Sequence, residues 1–335
     1  MNIHEKYISR CIELGKLGIG NTYPNPAVGS CIVYNNKIIG EGYTSSHGKN
    51  HAEINAINSV KIKSQLKESS LYVTLEPCSH HGKTPPCTNE IIKNKIPRVI
   101  IGIIDPYSKV SGNGIKKLKE AGIKVVIGVL ENKCKDHHKR FLTYINKKRP
   151  YIILKWAETN DGFIAPKTKD EIKPIWISNK YSRQLVHKWR SEEQCLIVGR
   201  KTISEDNPEL TTRDWYGKNP TVVIISKDNN LNNNSKVFNS KAQKIIISNE
   251  TIDFKKPIAN QIIKILYKRN IISATVEGGA KTLNTFLNEN IWDEIRRFKS
   301  PLNFKNGTKA PEINIKPKNK TLIIEDELVV IYNNN

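Results

Sequence analysis

No stretch of this 335-residue chain is apolar enough to cross a membrane as a helix. Its longest aliphatic run, Val99 to Ile104 with Gly102 inside it, falls far short of the roughly 20 residues a spanning helix needs and reads as a buried strand. The first residues, Met1-Asn2-Ile3-His4-Glu5-Lys6, lack the basic region and apolar core of a secretory signal, which places the protein in the cytosol. Acidic residues are scarce: 32 Asp and Glu face 54 Lys and Arg, for a net charge of +22. That excess raises nucleic-acid binding on electrostatic grounds, but a footprint needs a patch rather than a sum. The lysines are scattered among Asn and Ile, as in Asn35-Asn36-Lys37-Ile38-Ile39, and no dense basic block carries interleaved aromatics. A solvated basic surface is expected, with neither a nucleic-acid nor a membrane partner. A disulfide framework is excluded as well, because six cysteines in a long chain without a signal peptide meet a reducing compartment.

What the chain does have is 38% hydrophobic and 26% charged residues, the mix of a soluble globular protein. At roughly 150 residues per domain its length predicts two domains. Apolar residues at helical spacing mark an amphipathic helix from His4 to Leu17. Two strands, Ala27 to Tyr34 and Lys37 to Tyr43, follow, joined by an Asn35-Asn36 turn. Helix and strand patterns then alternate to Ile127, which indicates an α/β layer with a partly parallel sheet. The basic run Lys147-Lys148-Arg149-Pro150 interrupts this order, giving domains at 1–146 and 150–335, and alternation resumes at Tyr151. Cys11, Cys31 and Cys195 sit inside apolar patterns and read as small buried hydrophobes. Cys134 lies in a charged helical stretch without partners.

Cys78 and Cys87 differ, being surrounded by polar, glycine and proline residues. His51-Ala52-Glu53 opens a predicted helix, Pro77-Cys78 closes the strand that begins at Leu71, and Cys87 starts the next helix. Helix starts and strand ends meet at one edge of an open α/β sheet, so the three ligands can converge there. One imidazole and two thiolates leave a fourth tetrahedral position open on Zn²⁺, the pattern of a catalytic zinc. Glu53, two residues past the histidine, is placed to shuttle protons, and His-x-Glu with Pro-Cys and a second Cys is the signature of zinc deaminases. Alone, His-Ala-Glu would read as a solvated helix start with Glu53 favoured by the helix dipole. A structural zinc would want a fourth ligand, which His80 or His81 could supply.

Eight residues separate the two cysteines, where nucleic-acid deaminases usually have two. The run Thr74-Leu75-Glu76-Pro77-Cys78-Ser79-His80-His81-Gly82-Lys83-Thr84-Pro85-Pro86-Cys87, with Asn25-Pro26-Ala27-Val28-Gly29, closely resembles the deaminase half of the bifunctional deaminase/reductases of riboflavin biosynthesis. The resemblance implies a phosphorylated ribosylaminopyrimidine substrate, with Asn25, His80 and Lys83 as substrate contacts, and a lysine suits phosphate as a mobile point charge. One departure stands out: the family usually has a histidine seven residues before the zinc histidine, where this chain has Thr44, with His47 nearby.

In the second half, Val276-Glu277-Gly278-Gly279 at a strand-to-helix junction can bring backbone amides to a phosphate, or form a tight turn without a ligand. The resemblance continues through Lys155-Trp156-Ala157, Asp161-Gly162, Trp176-Ile177-Ser178, Arg190, Gly199-Arg200-Lys201-Thr202, Asp206 to Arg213 and Val276 to Gly279, so it spans nearly the whole chain. It implies a cytidine-deaminase-like α/β/α zinc domain followed by a dihydrofolate-reductase-like α/β domain that uses NADPH. Ala157, Trp176, Thr202, Asp206, Ser226, Gly279 and Thr285 are then cofactor contacts. Lys155, Arg190, Leu210, Arg213 and Glu277 are reductase substrate contacts, two arginines being suited to clamp a phosphate. Thr159-Asn160-Asp161-Gly162 departs from the usual Ser-Leu-Asp-Gly, and the lysine-rich part after Arg297 matches least. The implied function is zinc-dependent deamination of a diaminopyrimidinone ribosyl phosphate, then reduction of its ribosyl group to ribityl, with room for a homo-oligomer. A tRNA deaminase is disfavoured by the cysteine spacing and a structural-zinc module by Glu53.

Overall fold

The computed structural model describes residues 2–82, 84–107, 111–168 and 171–333, so Lys83 lies outside the described residues. The chain divides into two compact units, Met1–Lys148 and Arg149–Asn335.

In the first unit the elements run α1 (Ile3–Lys16), β1 (Gly29–Tyr34), β2 (Lys37–Tyr43), α2 (Ala52–Ser59), β3 (Ser70–Leu75), α3 (Cys87–Lys93), β4 (Arg98–Ile103), α4 (Asn113–Glu120), β5 (Lys124–Ile127), α5 (Glu131–His137) and α6 (Lys139–Lys147). The sheet order is β2-β1-β3-β4-β5, antiparallel at the β2 end and parallel from β3 to β5. Asn2 starts α1 with a capping box, accepting from the Glu5 amide while the Glu5 carboxylate accepts from its own. Asn35 and Asn36 both take positive φ, 46° and 59°, the geometry a tight hairpin between β1 and β2 demands. All of β3 is buried, as a central strand covered on both faces must be. Helix α1 lies so close on β1 that a Cβ on Gly29 would stand 1.9 Å from the Cys11 carbonyl oxygen. Two expectations change here. Ile104 lies beyond β4 and is exposed, because the chain leaves the sheet one residue earlier than its apolar run suggests. Cys134 is wholly buried, its thiol facing Gly102 of β4, so the charged residues around it occupy only the outer face of α5.

The second unit contains β6 (Tyr151–Glu158), β7 (Phe163–Pro166), α7 (Lys180–Glu192), β8 (Cys195–Gly199), α8 (Arg200–Asp206), β9 (Thr221–Ile225), α9 (Lys236–Asn239), β10 (Lys244–Ile247), α10 (Ile258–Lys268), β11 (Ser273–Val276), α11 (Ala280–Asn288), β12 (Glu294–Lys299), β13 (Gly307–Lys309), β14 (Asn319–Ile323) and β15 (Asp326–Tyr332). Its main sheet has the order β10-β9-β8-β11-β6-β12-β15-β14. Strands β10 to β12 in that order are parallel, and β15 and β14 run antiparallel at the far end. Crossover helices cover the parallel part, whose strands read as continuous apolar runs such as Leu196-Ile197-Val198. The three strands β13, β14 and β15 come from the lysine-rich C-terminal stretch. Strand β12 holds Arg296 buried by pairing it with Glu294 at 2.6 Å and laying its guanidinium over the Trp189 ring at 4.5 Å.

Candidate functional sites

The first site forms where α2 and α3 begin beside the end of β3. His51 is the N-cap of α2 in an extended conformation, Cys78 follows β3 after Pro77, and Cys87 is the first residue of α3. The Cys87 amide donates to Cys78 Sγ at 3.3 Å, and the Thr88 amide and hydroxyl both donate to the Cys78 carbonyl, so the end of β3 is stitched to the start of α3. His51 Nδ1 lies 3.6 Å from Cys78 Sγ and 3.3 Å from Cys87 Sγ, and the three ligand atoms fall within 4.8 Å of one another. Tetrahedral zinc with Zn–S near 2.3 Å and Zn–N near 2.05 Å requires N···S edges of about 3.6 Å. The donor set therefore fits zinc in both chemistry and spacing. Hydrogen bonding from Cys87 holds the Cys78 thiol down near 4, and the same pairing with Cys78, with burial, pushes Cys87 up.

Glu53 sits in the first turn of α2 and is buried, 3% exposed. Burial pushes its carboxyl up to about 7, with His51 pulling the other way. The other expected members of this site are placed less closely. Asn25 lies half-buried in the turn that precedes β1, its amide donating to Thr22. His80 packs edge-on to Tyr107 with ring centroids 6.3 Å apart, and its Nδ1 is buried without a hydrogen-bond partner. Thr44, which stands where the resembled family has a histidine, is buried, and its hydroxyl accepts from the Val28 amide at 3.0 Å. It braces the Pro26–Val28 segment, while His47 is exposed.

Two further carboxylates shape this site. Asp105, just past β4, is buried, and burial raises its carboxyl to about 6, with the charges of Glu76 and Cys78 adding to the shift. Glu76 spreads its carboxylate over four backbone amides, those of Asp105, Gly112, Gly114 and Ile115, and so ties the residue before Pro77-Cys78 to the start of α4.

The second site is a cavity of about 1370 Å³ at the carboxyl ends of the parallel strands of the second unit. Ala157, Trp176, Thr202, Asp206, Ser226, Gly279 and Thr285 all line it, as do Lys155, Arg190, Leu210, Arg213 and Glu277. Thr202 Oγ1 accepts from the Gly279 amide at 3.1 Å, joining the start of α8 to the glycine turn that opens α11. Ser226 Oγ is buried at the cavity wall with no partner. Gly278 leaves no room for a side chain, because a Cβ there would meet Thr282 at 2.8 Å, so bare backbone faces the cavity at the start of α11. These groups suit a dinucleotide phosphate: an amide-lined helix start, a hydroxyl in need of a partner, and room enough for cofactor and substrate together.

At the other end of the cavity Arg190 Nε and Nη2 grip Glu277 at 3.1 and 2.7 Å, and Lys155 Nζ stands 3.8 Å from the same carboxylate. The guanidinium fork of Arg190 is thus committed inside the protein, its Nη1 donating to the Thr211 carbonyl at 3.1 Å. Arg213 is placed differently, its described ion pair being a 3.9 Å contact with Glu209. Burial raises Glu277, but the Arg190 and Lys155 charges more than offset this and hold it at about 2. Burial lowers the Lys155 ammonium below the ordinary lysine value, against the pull of Glu277. Leu210 reaches the cavity from a left-handed backbone, φ 57°, with its side chain 4% exposed in the cluster of Leu196, Val198 and Ile203.

Comparison with known proteins finds a family match on each unit. Residues 1–103 match the cytidine and deoxycytidylate deaminase zinc-binding region, and residues 150–308 match the RibD C-terminal domain. The riboflavin biosynthesis protein RibD of Aquifex aeolicus is 37% identical over 343 residues, covering 98% of this chain and 95% of its own. That of Bacillus amyloliquefaciens is 34% identical over 331 residues, covering 93% and 88%. The crystal structure of a diaminohydroxyphosphoribosylaminopyrimidine deaminase/5-amino-6-(5-phosphoribosylamino)uracil reductase from Thermotoga maritima superimposes with a TM-score of 0.90 at 36% identity, covering 98% of each chain. With a zinc-type deaminase unit and a reductase unit matched in order over almost its full length, the chain belongs to the RibD family of riboflavin-biosynthesis deaminase/reductases.

Proposed function

We propose that the two sites act in sequence on one small molecule: hydrolytic removal of the 2-amino group of a diaminopyrimidinone ribosyl phosphate, then reduction of the ribosyl group to ribityl. The observation that carries the first step is a buried carboxyl, Glu53, beside a ligand set spaced for tetrahedral zinc. Zinc, when bound by His51, Cys78 and Cys87, supplies Lewis-acid activation of water. Glu53 takes a proton from the attacking water and returns it to the departing amino group, which leaves as ammonia while C2 gains a carbonyl oxygen. A carboxyl near pH 7 is suited to both transfers. Asn25 and His80 hold the pyrimidine and its phosphoribosyl arm, and the partnerless Nδ1 of His80 is available to the ligand.

In the second unit NADPH, when bound along Thr202, Ser226 and Gly279, supplies hydride. Lys155 is the proton donor of this step. Glu277, its carboxyl held down at about 2 by the Arg190 and Lys155 charges, has no proton to give near neutral pH, which leaves Lys155 Nζ, 3.8 Å from it, for that role. Glu277 serves as its counterion, Arg190 anchors Glu277, and Arg213 meets the substrate phosphate.

Mass spectrometry of the diaminopyrimidinone substrate with zinc-loaded protein tests the whole reading. An amino-to-oxo exchange, +1 Da, is expected without NADPH, and a further gain of two hydrogens with it. Unchanged substrate mass under both conditions would remove the proposal. Zinc should be held at one per chain. Cys87→Ser should lower zinc content and deamination together, and full zinc retention in both the Cys78→Ser and Cys87→Ser variants, measured by elemental analysis, would eliminate this ligand set.

A further inference from the structure

Helix α7 runs beside the segment Thr211–Gly217 and touches it repeatedly. His187 Nε2 lies 3.3 Å from Asp214 Oδ2. The Lys188 ammonium lies over the Trp215 ring at 5.7 Å, and Arg190 donates to the Thr211 carbonyl. Gly217, at φ 146°, is so close to the helix that a Cβ there would meet Ser191 Cβ at 2.5 Å. Four residues of one helix, within a five-residue stretch, thus bracket a seven-residue loop segment. Arg213 stands in the middle of that segment and lines the reductase cavity. His187 lines the same cavity and is 3% exposed, while Asp214 reaches it from a half-exposed position.

We propose that His187 is a positioning residue of the reductase site: through Asp214 it fixes the loop backbone that carries Arg213, and so fixes where Arg213 meets the anionic group of the substrate. The inference rests on the reading of Arg213 as a phosphate ligand. The charged groups facing His187 are Arg190 on its own helix, Arg213 and Asp214 on the loop, and Glu277 at the end of β11. Burial, then the Arg190 and Arg213 charges, lower the imidazole against the opposing pull of Asp214 and Glu277, to about 4 in all. His187 is therefore neutral near pH 7, and its contact with Asp214, at 3.3 Å, is one between a neutral imidazole and a carboxylate. That contact persists unchanged across the neutral range, so its effect on substrate binding should be level from about pH 6 to 8.

The test is steady-state reduction of 5-amino-6-(5-phosphoribosylamino)uracil by the full-length protein with NADPH. His187→Ala should raise KM for this substrate about tenfold or more, with kcat within about twofold and KM for NADPH unmoved. Asp214→Ala, which removes the same contact from its exposed side, should reproduce the rise. His187→Gln, whose amide nitrogen reaches the place of Nε2, should restore most of the binding. In an Arg213→Ala background, His187→Ala should add nothing, because the residue acts through Arg213. If Arg213→Ala alone leaves KM at the wild-type value, the reading of Arg213 fails and this inference falls with it. If Arg213→Ala raises KM but His187→Ala and Asp214→Ala do not, or if the effects multiply in the double variant, Arg213 stands as a ligand and the positioning role is overturned.

Discussion

Glu53→Gln should slow deamination by roughly 10²- to 10⁴-fold, the range expected for loss of general acid/base catalysis, while zinc content and the rate of reduction stay near wild type. Glutamine keeps the size of the side chain in a space where only 3% of the residue is exposed, and a neutral amide costs less to bury there than an ionised carboxylate. It removes the one group at the site whose carboxyl is raised to about 7 within the turn that carries His51. The metal ligands His51, Cys78 and Cys87 are untouched. The reductase residues lie beyond Arg149, in the other unit. Ammonia release, elemental analysis and NADPH absorbance give the three readings. Loss of both activities in a folded, zinc-replete variant would mean one shared site, and an undiminished deamination rate would take the proton shuttle away from Glu53.

The second large effect is expected at Glu277. Glu277→Gln leaves Arg190 and Lys155, whose side chains are 12% and 16% exposed, facing each other without the carboxylate between them. Removing one partner of a buried ionic network costs about 3–5 kcal/mol, and denaturant unfolding of the reductase unit should show a loss of that order at pH 7. Reduction should fall steeply at the same time, since the counterion of the proton donor is gone. The acid limb offers a separate check. The Glu277 carboxyl is depressed in the folded state, from an ordinary 4.5 to about 2. A depressed acid stabilises the fold fully above its unfolded value and loses that contribution as pH falls through the folded one. Wild type should therefore lose about 3 kcal/mol between roughly pH 4.5 and 2 that Glu277→Gln does not lose over the same interval. Parallel acid profiles for the two proteins would show that Glu277 is not held by these cations.

The zinc ligands and the parallel strands were legible in the sequence for the same reason: both leave patterns in neighbouring residues. Arg98–Ile103, Thr221–Ile225 and Lys244–Ile247 are short apolar runs between turn residues, and each is a strand over that whole span. His51, Cys78 and Cys87 are metal-binding residue types, and a helix start, a strand end and a second helix start carry them to one sheet edge. Strand β12 was hidden, because Glu294, Arg296 and Arg297 break its apolar pattern, and they are tolerated only through pairing with one another, with Glu193 and with Glu158. Asp105 and His187 were hidden for a different reason. Their roles depend on burial and on partners far away or across a loop, which no local spacing encodes. Arg190 adds what residue type does not encode: an arginine suited to phosphate also holds Glu277 and the Thr211 carbonyl.

The four amides gathered by Glu76 also bear on engineering. A chemist wishing to admit a bulkier pyrimidine would look to the connection between β4 and α4 as the natural place to lengthen the chain, since loops usually accept insertions at small thermodynamic cost. Here the amides of Asp105, Gly112, Gly114 and Ile115 converge on one carboxylate two residues from a metal ligand, and a Cβ on Gly114 would stand 2.1 Å from the Pro77 carbonyl oxygen. The two ends of the connection, at Asp105 and Gly112, are therefore pinned to one carboxylate. A graft that shifted either end would be read out first as weakened metal retention and only afterwards as altered substrate choice, unless the design carried its own acceptor to replace Glu76.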